Sequence, residues 1–220
     1  MAPGADNRGV HAILWDMDGT ILDSTRSIQA TLQAVLSEQD LPLLGDRQVA
    51  NAIGRPLREI LAWRSTDADA IAFMVRRYRE LYTQKFWRLA NWHDGFPAIL
   101  HEVVDAGFAQ ALVTSKGQTE AEHLLRSLGI DNLFAVVIGD NDRRPLKPDP
   151  APVLAACADL GIEPGNSTMV GDTRFDADSA IAAGAQAVVV SWGHSHDIPL
   201  GAKRVDTPDE LRRLLFARAP

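Results

Sequence analysis

Apolar residues gather in short runs along this chain, at residues 12–15, 109–114, 135–138, 167–170 and 187–190. Each run is too short for an ordinary helix and is bounded by polar or turn-forming residues, the pattern of a buried strand. From the second run onward the intervals carry helical periodicity, at 119–127, 150–160 and 175–183. Gly129, Gly161 and Gly184 each follow one of these segments, where a helix commonly ends on a left-handed residue. Strand and helix alternating in this order predict an α/β fold, a Rossmann-like parallel sheet core with helices on both faces.

Residues 24–92 break the alternation, with helical periodicity and no convincing strand. They predict helices at 25–39, 46–53, 56–63 and 67–88, the last one broken. The chain then divides into a core, 1–23 with 95–220, and an inserted α-helical domain, 24–94. The two parts join at 22–24 and 91–97, and the second junction holds Gly95 and Pro97. Residues 200–208 read as a loop before a final helix at 208–217.

Composition narrows the function. At 220 residues the chain can form one sizeable core, or a core plus a small accessory domain. A net charge of −7 argues against a general binder of nucleic acid or membrane surfaces. No apolar run is long enough to cross a bilayer. The single cysteine, Cys157, lies among small apolar residues, reads as core packing and allows no internal disulfide. Residues 1–10 lack the apolar stretch of a signal peptide, so cytoplasmic residence is expected.

Candidate chemistry sits where strands end. Asp16-Met17-Asp18-Gly19-Thr20 follows the first run directly and sets two carboxylates at the carboxyl end of a strand, where open α/β sheets keep their sites. Crowded carboxylates call for a cation or a shared proton, although Asp and Gly also make ordinary turns. Three further pieces follow in order. Val113-Thr114-Ser115-Lys116 closes the second run with hydroxyls, Leu146-Lys147-Pro148-Asp149-Pro150 sets a lysine in a rigid loop, and Gly171-Asp172-Thr173-Arg174-Phe175-Asp176 places two more acids after the fourth run.

This ordered set resembles the haloacid dehalogenase superfamily, in particular its phosphoglycolate phosphatase-like hydrolases with a helical cap. The resemblance implies a magnesium-dependent phosphatase acting on a small phosphorylated metabolite, phosphoglycolate first, as a monomer or homodimer, with hinges at 22–24 and 91–97 that let the cap open and close. It makes Asp16 the nucleophile that becomes an aspartyl-phosphate and Asp18 the general acid and base. Thr114, with backbone groups around Ser115, would bind the phosphoryl oxygens beside Gly19 and Thr20, and Lys147 would balance their charge. Mg2+ would be held by Asp16, the Asp18 carbonyl and Asp172, with Asp176 behind them. Specificity would fall to the cap, where Arg55 in Gly54-Arg55-Pro56-Leu57 is the first candidate, Arg58 the second, and Tyr78 and Arg79 lesser ones.

Ser191-Trp192-Gly193-His194-Ser195-His196-Asp197 invites a zinc reading, but no spaced Cys or His set accompanies it. A place on the rim of the site is expected instead. Among alternatives, a β-phosphoglucomutase-like mutase typically uses a cap histidine, and none occurs between Thr20 and Trp92. A catalytically silent phosphometabolite-binding protein would be expected to lack one of Asp16, Asp18, Lys147 or Asp172, and all are present.

Overall fold

A computed structural model describes residues 12–141, 143–194 and 198–216. The chain starts with β1 (Ala12–Trp15), makes a two-residue strand β2 (Leu22–Asp23), and passes through α1 (Thr25–Glu38), α2 (Asp46–Ala52), α3 (Leu57–Ala62) and α4 (Ala68–Gln84). It returns on β3 (Asn91–Trp92), antiparallel to β2. Alternation follows, through α5 (Phe96–Asp105), β4 (Ala109–Gly117), α6 (Gln118–Leu128), β5 (Val136–Asp140), α7 (Ala151–Leu160), β6 (Ser167–Gly171), α8 (Arg174–Ala183) and β7 (Gln186–Val190). A short β8 (Lys203–Val205) and α9 (Pro208–Phe216) complete it.

Six strands form one parallel sheet in the order β5-β4-β1-β6-β7-β8. The first strand lies inside it, with Trp15 level with Leu112 on one side and Val170 on the other. Successive side chains of a strand point to opposite faces. Ile13 and Trp15 accordingly join an apolar layer with Phe96, Ile99 and Leu124, while Ala12 and Leu14 join a second layer with Val153, Ala156 and Ala177. With helices on both faces, every residue of β1 is buried, which is why it reads as a continuous apolar run. The sheet grows from β1 to β4 and β5 on one side, and the chain then crosses from β5 to β6 on the other; the crevice above this switch point is where open α/β sheets bind ligands.

The four helices between β2 and β3 pack their apolar stripes together. Ile28, Leu32, Val35 and Leu36 of α1 share a buried cluster with Met74, Val75, Tyr78 and Tyr82 of α4. Asp67 caps α4 by accepting from the N–H groups of Asp69 and Ala70. The break expected in the last helix falls after Gln84, where Phe86–Leu89 forms a 3-10 turn. Gly129, Gly161 and Gly184 end α6, α7 and α8 in the left-handed conformation, with φ of 70°, 69° and 83°.

Some elements differ from the sequence reading. The span 200–208 is not all loop, because β8 adds an edge strand whose Lys203 and Arg204 are exposed. Charged edge strands carry little apolar signal. Helix α5 has no counterpart in the sequence reading; it begins at the end of segment 91–97, with Pro97 near its start, where the missing N–H costs nothing. Strands β2 and β3 are too short to show a period.

Candidate active site

Pairing of the first strand with β6 extends one residue past its end, since Asp16 N donates to Val170 O at 2.9 Å. Met17 O then accepts from Ile21 N and Leu22 N, both at 3.0 Å, and Gly19 N donates to Leu22 O at 2.7 Å. The turn needs φ of +88° at Gly19, a conformation glycine adopts without steric penalty. Gly19 and Thr20 therefore commit their N–H groups within the turn, and Thr20 O accepts from the Trp192 indole at 3.1 Å.

Above β1 the second, third and fourth motifs converge. Lys147 Nζ donates to Asp16 Oδ1 at 2.8 Å, to Val113 O at 2.9 Å and to Asp176 Oδ1. Asp176 also completes a capping box at the start of α8, its Oδ2 accepting from Thr173 N at 2.9 Å and Thr173 Oγ1 at 2.6 Å. Asp172, at the end of β6, is fully buried. Asp16, Asp172 and Asp176 each offer an oxygen within 4.8 Å of the others.

Three buried carboxylates against one ammonium leave an excess of negative charge. Burial drives the Asp16 carboxyl up to about 7, with Lys147 opposing and Asp176 and Asp172 reinforcing. Burial raises Asp172 as well, against its hydrogen bond from His194. Burial works against the Lys147 charge, but Asp16 and Asp176 outweigh it and hold the ammonium above its usual range. Among the described residues, Asp172 Oδ1 is buried without a hydrogen-bond partner. An all-oxygen donor set with an orphan carboxylate oxygen and uncompensated charge fits a hard divalent cation.

Asp18 lies apart from this acidic cluster. Its Oδ2 pairs with Lys116 Nζ at 3.0 Å, while its Oδ1 has no partner. Lys116 in turn sits over the Tyr82 ring, 4.0 Å from its centroid. Burial acts against the Lys116 charge, yet Asp18 holds it well above the ordinary lysine range. Thr114 Oγ1 accepts from Lys116 N at 3.2 Å, fixing the end of the strand, and Ser115 Oγ is buried without a partner.

A pocket lies between these strand ends and the helices of residues 24–94. Asp16, Asp18, Thr114 and Ser115 line its floor and Ile28, Leu32, Leu57 and Ile60 its apolar wall. Arg55 reaches its rim, where the guanidinium lies 5.5 Å from the Phe175 ring centroid and Nε donates to Asn51 O at 3.0 Å. Arg58 does not line it. Tyr78 and Arg79, ranked low from the sequence, do. Arg79 Nη2 donates to Asp140 Oδ2 at 3.2 Å, and Arg79 Nε lies 3.4 Å from Glu120 Oε1.

Sequence reasoning gave no role to Lys116, though it stands in the quoted second motif. It also set aside His194, which bonds Asp172 through both its backbone N–H, at 2.7 Å, and its ring Nδ1, at 2.9 Å. His196, its companion in the zinc reading, lies outside the described residues. Trp192 packs against Phe96 and His93, and neither it nor His194 is among the described residues that line the pocket.

Comparison with known proteins adds an independent line. The family model described as haloacid dehalogenase-like hydrolase matches residues 13–190. A phosphoglycolate phosphatase of Xanthomonas campestris is 33% identical over 207 residues, covering 91% of this chain and 94% of its own. An N-acetylmuramic acid 6-phosphate phosphatase of Pseudomonas aeruginosa is 30% identical, covering 84% and 83%. Among solved structures, a haloacid dehalogenase-like family protein of Streptococcus pneumoniae superposes with a TM-score of 0.80 at 23% identity, covering 94% of this chain and 98% of its own. Mycobacterium tuberculosis protein tyrosine kinase A does so with a TM-score of 0.78 at 28% identity, covering 95% and 99%.

Proposed function

The chain belongs to the haloacid dehalogenase-like hydrolase family, and from that premise we propose that it is a magnesium-dependent phosphatase of a small phosphomonoester. The observation that carries the reading is Asp16, fixed by Lys147 at a strand end, with Asp172 and Asp176 beside it and Asp18 facing the same pocket. The likeness to a protein named a kinase shows that the fold alone does not set the activity.

In this reading Lys147 holds one oxygen of Asp16 and the other attacks phosphorus in line. An O–P bond forms to Asp16 as the bond to the leaving oxygen breaks, giving an aspartyl-phosphate. Lys116 holds Asp18 Oδ2, and Asp18 enters the step as the acid, its proton on the otherwise unpartnered Oδ1, from which it passes to the departing alkoxide. Once the alcohol has left, Asp18 takes a proton from the water that attacks the same phosphorus and frees Asp16. The hydroxyls of Thr114 and Ser115 offer hydrogen bonds to the phosphoryl oxygens, and Lys147, whose three N–H groups are taken by Asp16, Val113 and Asp176, supplies positive charge beside them. Magnesium, held by Asp16, Asp172 and the Asp18 carbonyl with Asp176 behind them, would neutralise the anionic phosphoryl group.

Residues 24–94 serve as a cap over the core of 1–23 and 95–220, and its side chains select the substrate. The names of the two relatives make phosphoglycolate the first compound to test and N-acetylmuramic acid 6-phosphate the second. The test is phosphate release from a panel of phosphomonoesters, these two and β-glucose 1-phosphate included, with magnesium and with a chelator. Magnesium-dependent release that disappears in Asp16→Asn is expected. Equal turnover by Asp16→Asn would remove Asp16 as nucleophile.

A further inference from the structure

Resting on the metal-dependent reading above, we infer that His194 is a positioning residue that aims Asp172 at the cation and ties it to the first turn of α1. Asp172 Oδ2 accepts from His194 N at 2.7 Å and lies 2.9 Å from His194 Nδ1, so this oxygen is saturated. Oδ1 is buried with no partner, and Asp172 offers an oxygen to the same cluster as Asp16 and Asp176. The carboxylate is thereby split into an anchored oxygen and an available one.

The rest of the imidazole is also accounted for. A carboxylate only accepts, so Nδ1 carries the hydrogen in this bond. Nε2 lies 3.1 Å from Thr25 Oγ1, within hydrogen-bond distance of a hydroxyl that can donate or accept. Thr25 is the first residue of α1, and its N–H donates to Asp23 Oδ1 at 3.1 Å. A continuous set of hydrogen bonds thus runs from the acidic cluster to the point where the helical insertion leaves the core.

Two glycines make room for it. A Cβ at Gly193 would overlap the Asp172 side chain, and one at Gly19 would overlap both Asp172 and the His194 ring. The His194 side chain is only 16% exposed. This packing is what a positioning residue requires, since a hydrogen bond aims a ligand only if its donor is itself held.

The test is calorimetric titration of magnesium chloride into the intact protein and its variants, with thermal melts to verify that each is folded. Asparagine can place an amide N–H near the position of Nδ1, whereas glutamine reaches toward that of Nε2. His194→Ala and His194→Gln are expected to weaken magnesium binding about tenfold, and His194→Asn to recover most of that loss. Thr25→Val, which keeps the shape and removes the hydroxyl, is expected to weaken it by about threefold. Wild-type affinity in His194→Ala, or His194→Asn as weak as His194→Ala, would overturn the inference and leave the metal-dependent reading intact. A wild-type protein that takes up no magnesium would overturn both.

Discussion

Lys116 shows how much depends on single side chains here. Its ammonium is buried against Asp18 and under Tyr82, so removing it strands a carboxylate that is only 8% exposed. Breaking a buried pair from one side costs about 3–5 kcal/mol, largely through the charge left behind. Lys116→Met is therefore expected to lower stability by about that amount, read by denaturant unfolding, and to slow turnover by about a hundredfold through a mispositioned Asp18. The double variant Lys116→Met/Asp18→Asn separates the two effects. It regains much of the stability, having no unpaired charge to bury, while turnover stays lost. If the double variant is no more stable than the single one, the pair is not the source of the cost.

At the scale of elements, the pocket is closed by contacts between helices that are far apart in sequence. Arg79, on α4, reaches both Glu120 of α6 and Asp140 at the end of β5. Arg79→Ala is expected to raise KM about tenfold with a smaller change in kcat, because it loosens the helices over the substrate and leaves Asp16 and Asp18 in place. Arg79→Lys should not restore it, since a single ammonium cannot reproduce a fork to two carboxylates. A kcat loss larger than the KM change would instead put Arg79 in the chemistry. On α8, Thr173→Ala removes the N-cap and one bond to Asp176, for an expected loss of about 1 kcal/mol in unfolding free energy. How much of this the sequence revealed depended on range. The strands around Asp16, Thr114 and Asp172 were legible because both their faces are buried, and the glycine stops of α6, α7 and α8 because the left-handed region is theirs. Gly95 and Pro97 also introduce α5, a helix that the sequence reading did not include. Lys116, Arg79 and His194 acquire their partners only through long-range packing, which no local period encodes.

For the whole molecule, the question is how a fold tolerates this much buried charge. Asp16, Asp172 and Asp176 face one ammonium, Lys147, and one imidazole, His194. The sheet topology forces the crowding, because strands β1 and β6 are neighbours and both release an acid at the same end. Folding without a cation therefore works against repulsion, and a cation that binds only the folded state should relieve it. At a hundred times its dissociation constant such a ligand adds about 2.7 kcal/mol. For a chain of this size that corresponds to a rise in Tm of about 5–10 °C on adding magnesium, reversed by a chelator. Sodium chloride at equal ionic strength should not substitute, since buried charges are poorly screened. Asp172→Asn sharpens the argument, because asparagine keeps an oxygen for His194 and removes one negative charge. In the chelator this variant is expected to melt at or above the wild-type temperature. In magnesium it should melt below it, having lost a ligand. A variant that melts below wild type under both conditions would mean that Asp172 supports the fold directly, and that repulsion at the site is not what the cation relieves.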